Sequence, residues 1–325
     1  MPDLPPNLQL PLRLGTRRSP LAMAQAEEAR ARLIAAHRLS ERDIELVPIT
    51  ASGDKIQDRP LAEIGGKALW TKELDAWLVA GEIDFAVHSL KDVETIRPVE
   101  IAIAAILPRE DVRDVLVGAE SVAALPRGAR IGTSAPRRAA QLLHARPDCR
   151  VVPFRGNVAT RLARLAAGEA DATLLAAAGL NRLGESGVGH PLAADTWLPA
   201  PGQGAIAIEC RSPFRQAQGE RDSHVAALLA AIDHGPSRAE VMAERALLAG
   251  LGGNCHSAIA VLSTWQGAQL SLRAILFSPD GAEQVTGEAR FAAGDSQGPA
   301  RLAADLLARA VPAIAAHFAG PQPAS

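Results

Sequence analysis

Gly15-Thr16-Arg17-Arg18-Ser19-Pro20 and Gly132-Thr133-Ser134-Ala135-Pro136-Arg137-Arg138 are the two stretches on which the reading of this chain turns. Each follows a short apolar run, Leu12 to Gly15 in one case and Arg130 to Gly132 in the other, and each holds a proline that opens a helical pattern. A strand end, a Gly-Thr turn and a helix start dressed with hydroxyl and guanidinium groups make an anion-binding device. The helix start offers unpaired N–H groups and a partial positive charge, and Arg, Ser and Thr complete the cage. One copy alone reads equally as Ser19 capping a helix with Pro20 at its first position. Two copies point to two α/β halves that reuse one device, with their sites facing each other across a cleft.

Working outward, the first half continues as a helix from Pro20 to His37 and a strand from Glu45 to Thr50. A polar loop from Ala51 to Pro60 follows, then Gly65-Gly66-Lys67 and a helix from Leu69 to Ala80. The apolar run Ile83 to Val87 delivers His88, Ser89, Leu90, Lys91 and Asp92 at its C-terminal end, where open α/β sheets place their ligands. The second half has strands at Val115–Val117, Arg130–Gly132, Arg150–Pro153 and Ala172–Leu175, with helices at Pro136–Ala145 and Val158–Ala167. From about His224 the order changes to two helices, Val225–Asp233 and Arg238–Ala249. Three strand-like runs near Ile259–Ser263, Leu270–Phe277 and Glu288–Phe291 and an Ala-rich helix complete the chain. Segregated helices and strands predict a small α+β third domain. The expected division is 1–108 with 205–222, then 109–204, then 223–325.

At 325 residues the chain suits two or three domains, and 48% hydrophobic with 22% charged residues excludes disordered and fibrous classes. The N-terminal MPDLPPNLQLPLRL lacks a basic region followed by an unbroken apolar one, and no run of about 18 apolar residues occurs, so a cytoplasmic protein without a membrane span is expected. Three scattered cysteines, Cys149, Cys210 and Cys255, make neither a disulfide framework nor a CxxC metal site, and no metal is expected.

The formal net charge of −2 gives no global reason to bind nucleic acid, yet positive charge is concentrated locally. Residues 127–182 hold ten arginines against Asp148, Glu169 and Asp171, with Phe154 as the sole aromatic. Without stacking platforms this half suits carboxylate or phosphate groups of a small ligand rather than a nucleic acid. Arg155 and Arg161 flank the start of one helix, Arg155 preceding Gly156-Asn157. The four lysines, Lys55, Lys67, Lys72 and Lys91, all lie in the first half. Asp92 beside Lys91 reads as an Asx turn or cap, or as a carboxylate that stabilises a developing cation. His88 reads as a hydrogen-bonded structural histidine. Cys255, in Leu251-Gly252-Gly253-Asn254-Cys255-His256, is a thiol presented by a glycine-rich loop, whereas Cys149 and Cys210 read as packed small residues.

Taken together, TRRSPLAMAQA (16–26), IGGKALWTKELD (64–75), DFAVHSLKDV (84–93), GTSAPRRAAQL (132–142), FRGNVATRL (154–162), LAAAGLNRLG (175–184) and PGQGAIAIEC (201–210) resemble the hydroxymethylbilane synthase, or porphobilinogen deaminase, family. The similarity runs from Leu12 to the last helix. It implies two type II periplasmic-binding-like α/β domains around a hinged cleft, plus a small α+β domain. It also implies an enzyme of tetrapyrrole biosynthesis that joins four porphobilinogen molecules head to tail with loss of ammonia and hydrolyses off a linear product for the next tetrapyrrole enzyme. The resemblance assigns a dipyrromethane cofactor in thioether linkage to Cys255 and makes Asp92 the catalytic carboxylate that stabilises the cationic azafulvene. It places Lys91, Arg137, Arg138, Ser134 and Thr133 on the cofactor, and Arg17, Ser19, Gln25, Lys67, Arg155, Arg161, Arg182 and Gln203 on substrate. It further implies a monomer.

The chain departs from the family pattern at Glu63, where Lys is common, at Trp70 for Phe, and at Ala135 for Ser. Around the cysteine, Asn254 stands for a usual glycine and Ala258 for a usual proline. The rival readings are a two-domain anion-binding protein of the periplasmic type and an inactive relative of the synthase. The missing signal peptide, the Cys255 loop and the third domain count against the first.

Overall fold

The computed structural model describes residues 8–49, 71–213, 219–254 and 256–320. They form two compact units, the first from residues up to 49, 71–110 and 205–238, the second from 111–204 and from 239 onward. The 51–60 loop, Glu63, Lys67, Trp70 and Cys255 lie outside the described residues.

The first unit is built on one five-stranded sheet. Strands are numbered along the chain: β1 (Leu12–Arg17), β2 (Ile44–Ile49), β3 (Phe85–Ser89), β4 (Ile101–Ile106) and β10 (Ile206–Arg211) lie in the order β2-β1-β3-β10-β4. β1, β2 and β3 are parallel, whereas β10 runs antiparallel to both β3 and β4. A largely parallel sheet must be covered on both faces. Helix α1 (Pro20–His37) puts Ala26, Ala29 and Leu33 against Leu12, Leu14 and Phe85 on one face. Helix α2 (Lys72–Ala80) sets Leu74 and Leu78 against Ala86 and Ile101 on the other, so Phe85 and Ala86 obey the twofold alternation of a strand.

Helix α6 (Glu220–Ala230) covers the same first core with Val225, Leu228 and Leu229. The sequence reading opens the third domain at 223, but this apolar stripe closes over the sheet that contains β10, and the helix belongs with the first unit. β4 is an addition of the same kind: its alternating Ile-Ala pattern is a strand the sequence reading passes over.

The second unit repeats the topology. Strands β5 (Asp114–Val117), β6 (Arg130–Gly132), β7 (Arg150–Val152), β8 (Ala172–Ala176) and β9 (His190–Pro191) lie in the order β7-β6-β8-β5-β9. Here β6, β7 and β8 are parallel and β5 is the antiparallel member, the counterpart of β10. Both sheets therefore share one arrangement of three parallel strands, then an antiparallel strand, then an edge strand. Helices α3 (Pro136–Ala145), α4 (Val158–Ala166) and α5 (Ala177–Arg182) follow β6, β7 and β8.

Helix α7 (Gly235–Gly250) leads into an antiparallel meander of β11 (Ile259–Gln266), β12 (Gln269–Phe277) and β13 (Gln284–Ala292). Helix α8 (Gln297–Arg309) packs Leu302 and Leu306 on Leu272 and Leu276, and a last turn, α9 (Pro312–Ala315), adds Ile314. This is the small α+β portion, and it adheres to α3 through Ala140, Ala258, Ala260 and Phe277. The β12–β13 turn sits on that helix: Gly281 has φ +73°, its carbonyl lies 2.9 Å from His144 Nδ1, and a Cβ there would stand 2.5 Å from the Ala140 carbonyl.

Candidate active site

The duplicated Gly-Thr turns have the same local logic. In the first unit Ser19 Oγ accepts from the Ala22 amide at 3.4 Å, capping α1, and Pro20 occupies the first helical position. In the second, Ala135 stands at the N-cap of α3, Pro136 follows, and Thr133 Oγ1 accepts from the Ala135 amide at 3.2 Å. Gly132 is a glycine because a Cβ would lie 2.4 Å from the Phe154 ring. Both the capping reading and the helix-start reading thus hold at Ser19, while Ala135 leaves α3 without a side-chain cap.

Asp114, at the first position of β5, organises the start of α3. Its carboxylate is fully buried and receives Arg137 Nη2 at 2.7 Å, Arg138 Nη2 at 2.7 Å, Trp197 Nε1 at 2.9 Å and Gln203 Nε2 at 2.9 Å. Burial by itself would raise this carboxyl, but the charges of Arg137 and Arg138, with bonds from Arg138 and Trp197, outweigh it and hold Asp114 well below the usual carboxylate range. The guanidiniums spend further donors on the carbonyls of Leu198 and Leu174. Gln203, read from the sequence as a substrate ligand, here also donates to the Val112 carbonyl.

Three buried polar atoms at this helix start have no hydrogen-bond partner among the described residues: Ser134 Oγ, Arg137 Nε and Arg138 Nε. Buried donors are paired as a rule, so these three are open to the acceptors of a ligand. With the helix dipole behind them, these donors fit a carboxylate-bearing group. A dipyrromethane, whose rings carry acetate and propionate, meets that description.

Arg155, Arg161 and Arg182 of the second unit are half-buried. Asn157 caps α4 by accepting from the Thr160 amide at 2.9 Å, and Arg161 Nε donates to the Gly156 carbonyl at 3.0 Å, which fixes its guanidinium at the start of that helix. Arg182 Nη2 donates to the Gly204 carbonyl at 3.0 Å. The adjoining Gly202 amide donates to Glu244 Oε2, a buried carboxylate on α7 that also accepts from Ser263.

In the first unit Asp92 closes a single 3-10 turn, Leu90–Asp92, at the C-terminal end of β3, and both it and Lys91 are half-buried. The Leu90 amide donates to the Ala205 carbonyl at 3.0 Å, and Leu90 and Val93 are buried, so the turn is pinned on either side of Asp92. Gln25 is buried on α1 and donates to Ser89 Oγ at 2.8 Å, which gives it a part in holding this turn.

His88, Arg97, Asp75 and Glu209 form a buried cluster beneath the turn. Asp75, His88 and Glu209 bring ligand-type atoms within 4.8 Å of one another, but Arg97 occupies both carboxylates and the group is an ion-pair cluster rather than a metal centre. Burial, then the charge of Arg97, pushes the His88 pKa from 6.5 down to about 4, against the pull of Asp75 and Asp92. His88 is therefore neutral at pH 7, and its buried Nε2 lies 3.4 Å from Glu209 Oε2 without a hydrogen bond, so the hydrogen-bonded reading is not met at that nitrogen. Its unfolded form takes up a proton near pH 6.5 and its folded form near 4, so stability is lost as pH falls through that window. The stability gap between wild type and a His88→Gln variant is accordingly expected to narrow from pH 7.5 to pH 5, as read by urea denaturation.

The thiols of Cys149 and Cys210 are buried, and burial followed by Asp222 pushes Cys210 up to about 12. Neither is a nucleophile at neutral pH.

With this geometry in place, comparison with known proteins is decisive. The family model described as "Porphobilinogen deaminase, dipyromethane cofactor binding domain" matches residues 12–218, and "Porphobilinogen deaminase, C-terminal domain" matches residues 238–309. The chain belongs to the porphobilinogen deaminase family. It is 57% identical over 315 residues to porphobilinogen deaminase of Sphingopyxis alaskensis, covering 95% of this chain and 97% of the relative. It is 49% identical over 286 residues to that of Paracoccus denitrificans, covering 87% and 89%. Among solved structures, the periplasmic sulfonate-binding protein SsuA of Methylobacillus flagellatus is 16% identical with a TM-score of 0.40, over 69% of this chain and 67% of that one.

Membership makes this chain a transferase of porphyrin biosynthesis that condenses porphobilinogen into linear hydroxymethylbilane and holds a dipyrromethane cofactor. Among the described residues no helix is long and apolar enough to cross a membrane.

Proposed function

We propose that the synthase chemistry is divided between Asp92, which handles charge and protons, and the arginine-bearing half, which neutralises the carboxylates of cofactor and substrate. The observation that carries this reading is the set of unspent buried donors at the start of α3, Ser134 Oγ, Arg137 Nε and Arg138 Nε, backed by Asp114. Together with Thr133 and Lys91 these groups hold the dipyrromethane, attached through the sulfur of Cys255. When bound, that group supplies the pyrrole carbon to which the first substrate is joined.

Arg17, Arg155, Arg161 and Arg182, with Lys67, Ser19, Gln25 and Gln203, serve the substrate's acetate and propionate. Arginine suits this task because its planar fork meets a carboxylate with two donors. Porphobilinogen loses ammonia when its C–N bond breaks with the electron pair on nitrogen, which leaves a cationic azafulvene. A carboxylate fixed at Asp92 stabilises that cation, and takes up the proton released once a new C–C bond has formed. The Cys255 sulfur is an anchor throughout, not a turnover nucleophile.

We further read the enzyme as a cytoplasmic monomer that hands its linear product to the next tetrapyrrole enzyme. The test is stoichiometric. Purified protein given porphobilinogen is expected to release one ammonia per porphobilinogen consumed and one linear tetrapyrrole per four, at a solution mass of a single chain. Consumption without ammonia release would refute the reading.

A further inference from the structure

We propose that Arg97 is a positioning residue for the Asp92 carboxylate, clamping the far end of the segment on which Asp92 stands. Arg97 is five residues beyond Asp92 in the connection from β3 to β4, and its side chain turns back into the protein. Its Nε and Nη2 both lie 2.8 Å from the two oxygens of Glu209, a fork-to-fork pair with a wholly buried carboxylate on β10. Nη2 also reaches Asp75 Oδ1 of α2 at 2.6 Å, and Nη1 lies 3.5 Å from Glu94 Oε2. One guanidinium thus ties the Asp92 segment to the strand beside β3 and to the helix that covers it.

The near end of the segment is held independently, by the Leu90 amide on Ala205 and by Ser89 on Gln25. Asp92 stands between these two fixed points, and its charge and that of Arg97 both bear on His88. Arg97 also brings its positive charge to two carboxylates, the buried Glu209 and the half-buried Asp75. The lever is geometric as well as electrostatic: a Lys keeps the charge but cannot span both oxygens of Glu209 and reach Asp75.

This inference rests on Asp92 being the catalytic carboxylate, and the experiment separates the two. Arg97→Lys is measured alone and in an Asp92→Glu background, with Asp92→Asn as the control for Asp92 itself. Alone, R97K is expected to lower kcat roughly ten- to a hundredfold, the scale of a displaced reacting group, with KM within about twofold. In the Asp92→Glu background, where the carboxylate is already displaced by a methylene, it is expected to add less than about threefold. The double variant Arg97→Gln/Glu209→Gln removes both charges of the pair together, is expected to fold, and should show the same kcat loss. Wild-type kcat in R97K, or an equal loss in both backgrounds, would overturn the clamp. Wild-type kcat in Asp92→Asn would instead sink the assignment of Asp92.

Discussion

An Asp92→Asn variant is expected to lose at least about a hundredfold in kcat, the lower range for removal of a positioned acid–base group, while KM for porphobilinogen changes little. Asn keeps the size and one acceptor of Asp, so the 3-10 turn at Leu90–Asp92 has no packing reason to collapse. What it cannot do is carry the negative charge that balances the cation left by departing ammonia. On the proposed reading binding is the work of the arginines, of which Arg161 is set by Gly156 and Arg182 by Gly204. Initial rates of ammonia release across porphobilinogen concentration check this. A rise in KM at unchanged kcat would make Asp92 a binding group instead.

An Asp114→Asn variant is expected to lose about 3–5 kcal/mol of stability, the scale seen when one partner of a buried ion pair is removed. Two guanidiniums with side chains 5% and 6% exposed would then share a neutral amide. One of its two polar atoms would be an N–H₂ aimed at donors, so repulsion is added to lost attraction. Because the Asp114 carboxyl is held low in the folded protein, its stabilisation is present above the unfolded carboxylate range near pH 4 and is lost only as pH falls below that. The deficit of the variant is thus expected to be constant from pH 5 to 8 and to shrink in stronger acid, as read by urea denaturation. Loss of cofactor retention should accompany it, since Arg137 and Arg138 lose the carboxylate that orients them.

These two residues show what a linear reading sees and what it does not. Asp92 is visible because it ends an apolar strand run beside a lysine. Asp114 also borders an apolar run, Val115–Val117, but its partners lie 23, 24, 83 and 89 residues further along, and no spacing rule connects them. Arg97 is hidden in the same way, with its main partner 112 residues away. β1, α1, β6 and α3 were legible because glycine, proline and hydrophobic periodicity mark their ends locally. α6 was legible as a helix but not as part of the first unit, since its apolar stripe does not say which sheet it covers. The arginine pair reads from the sequence as an anion site, yet that every Nη nitrogen of the pair bonds to Asp114, Leu174 or Leu198, while the two Nε groups have no partner among the described residues, emerges only from the packed structure.

The central claim is that this chain carries its own two-pyrrole primer on Cys255 and extends it. The most direct measurement is the intact mass of the denatured wild-type protein beside a Cys255→Ala variant, each after exposure to porphobilinogen. A covalent dipyrromethane on the wild type that is missing from the variant is the predicted result. An unmodified wild type that also releases no ammonia would contradict the account.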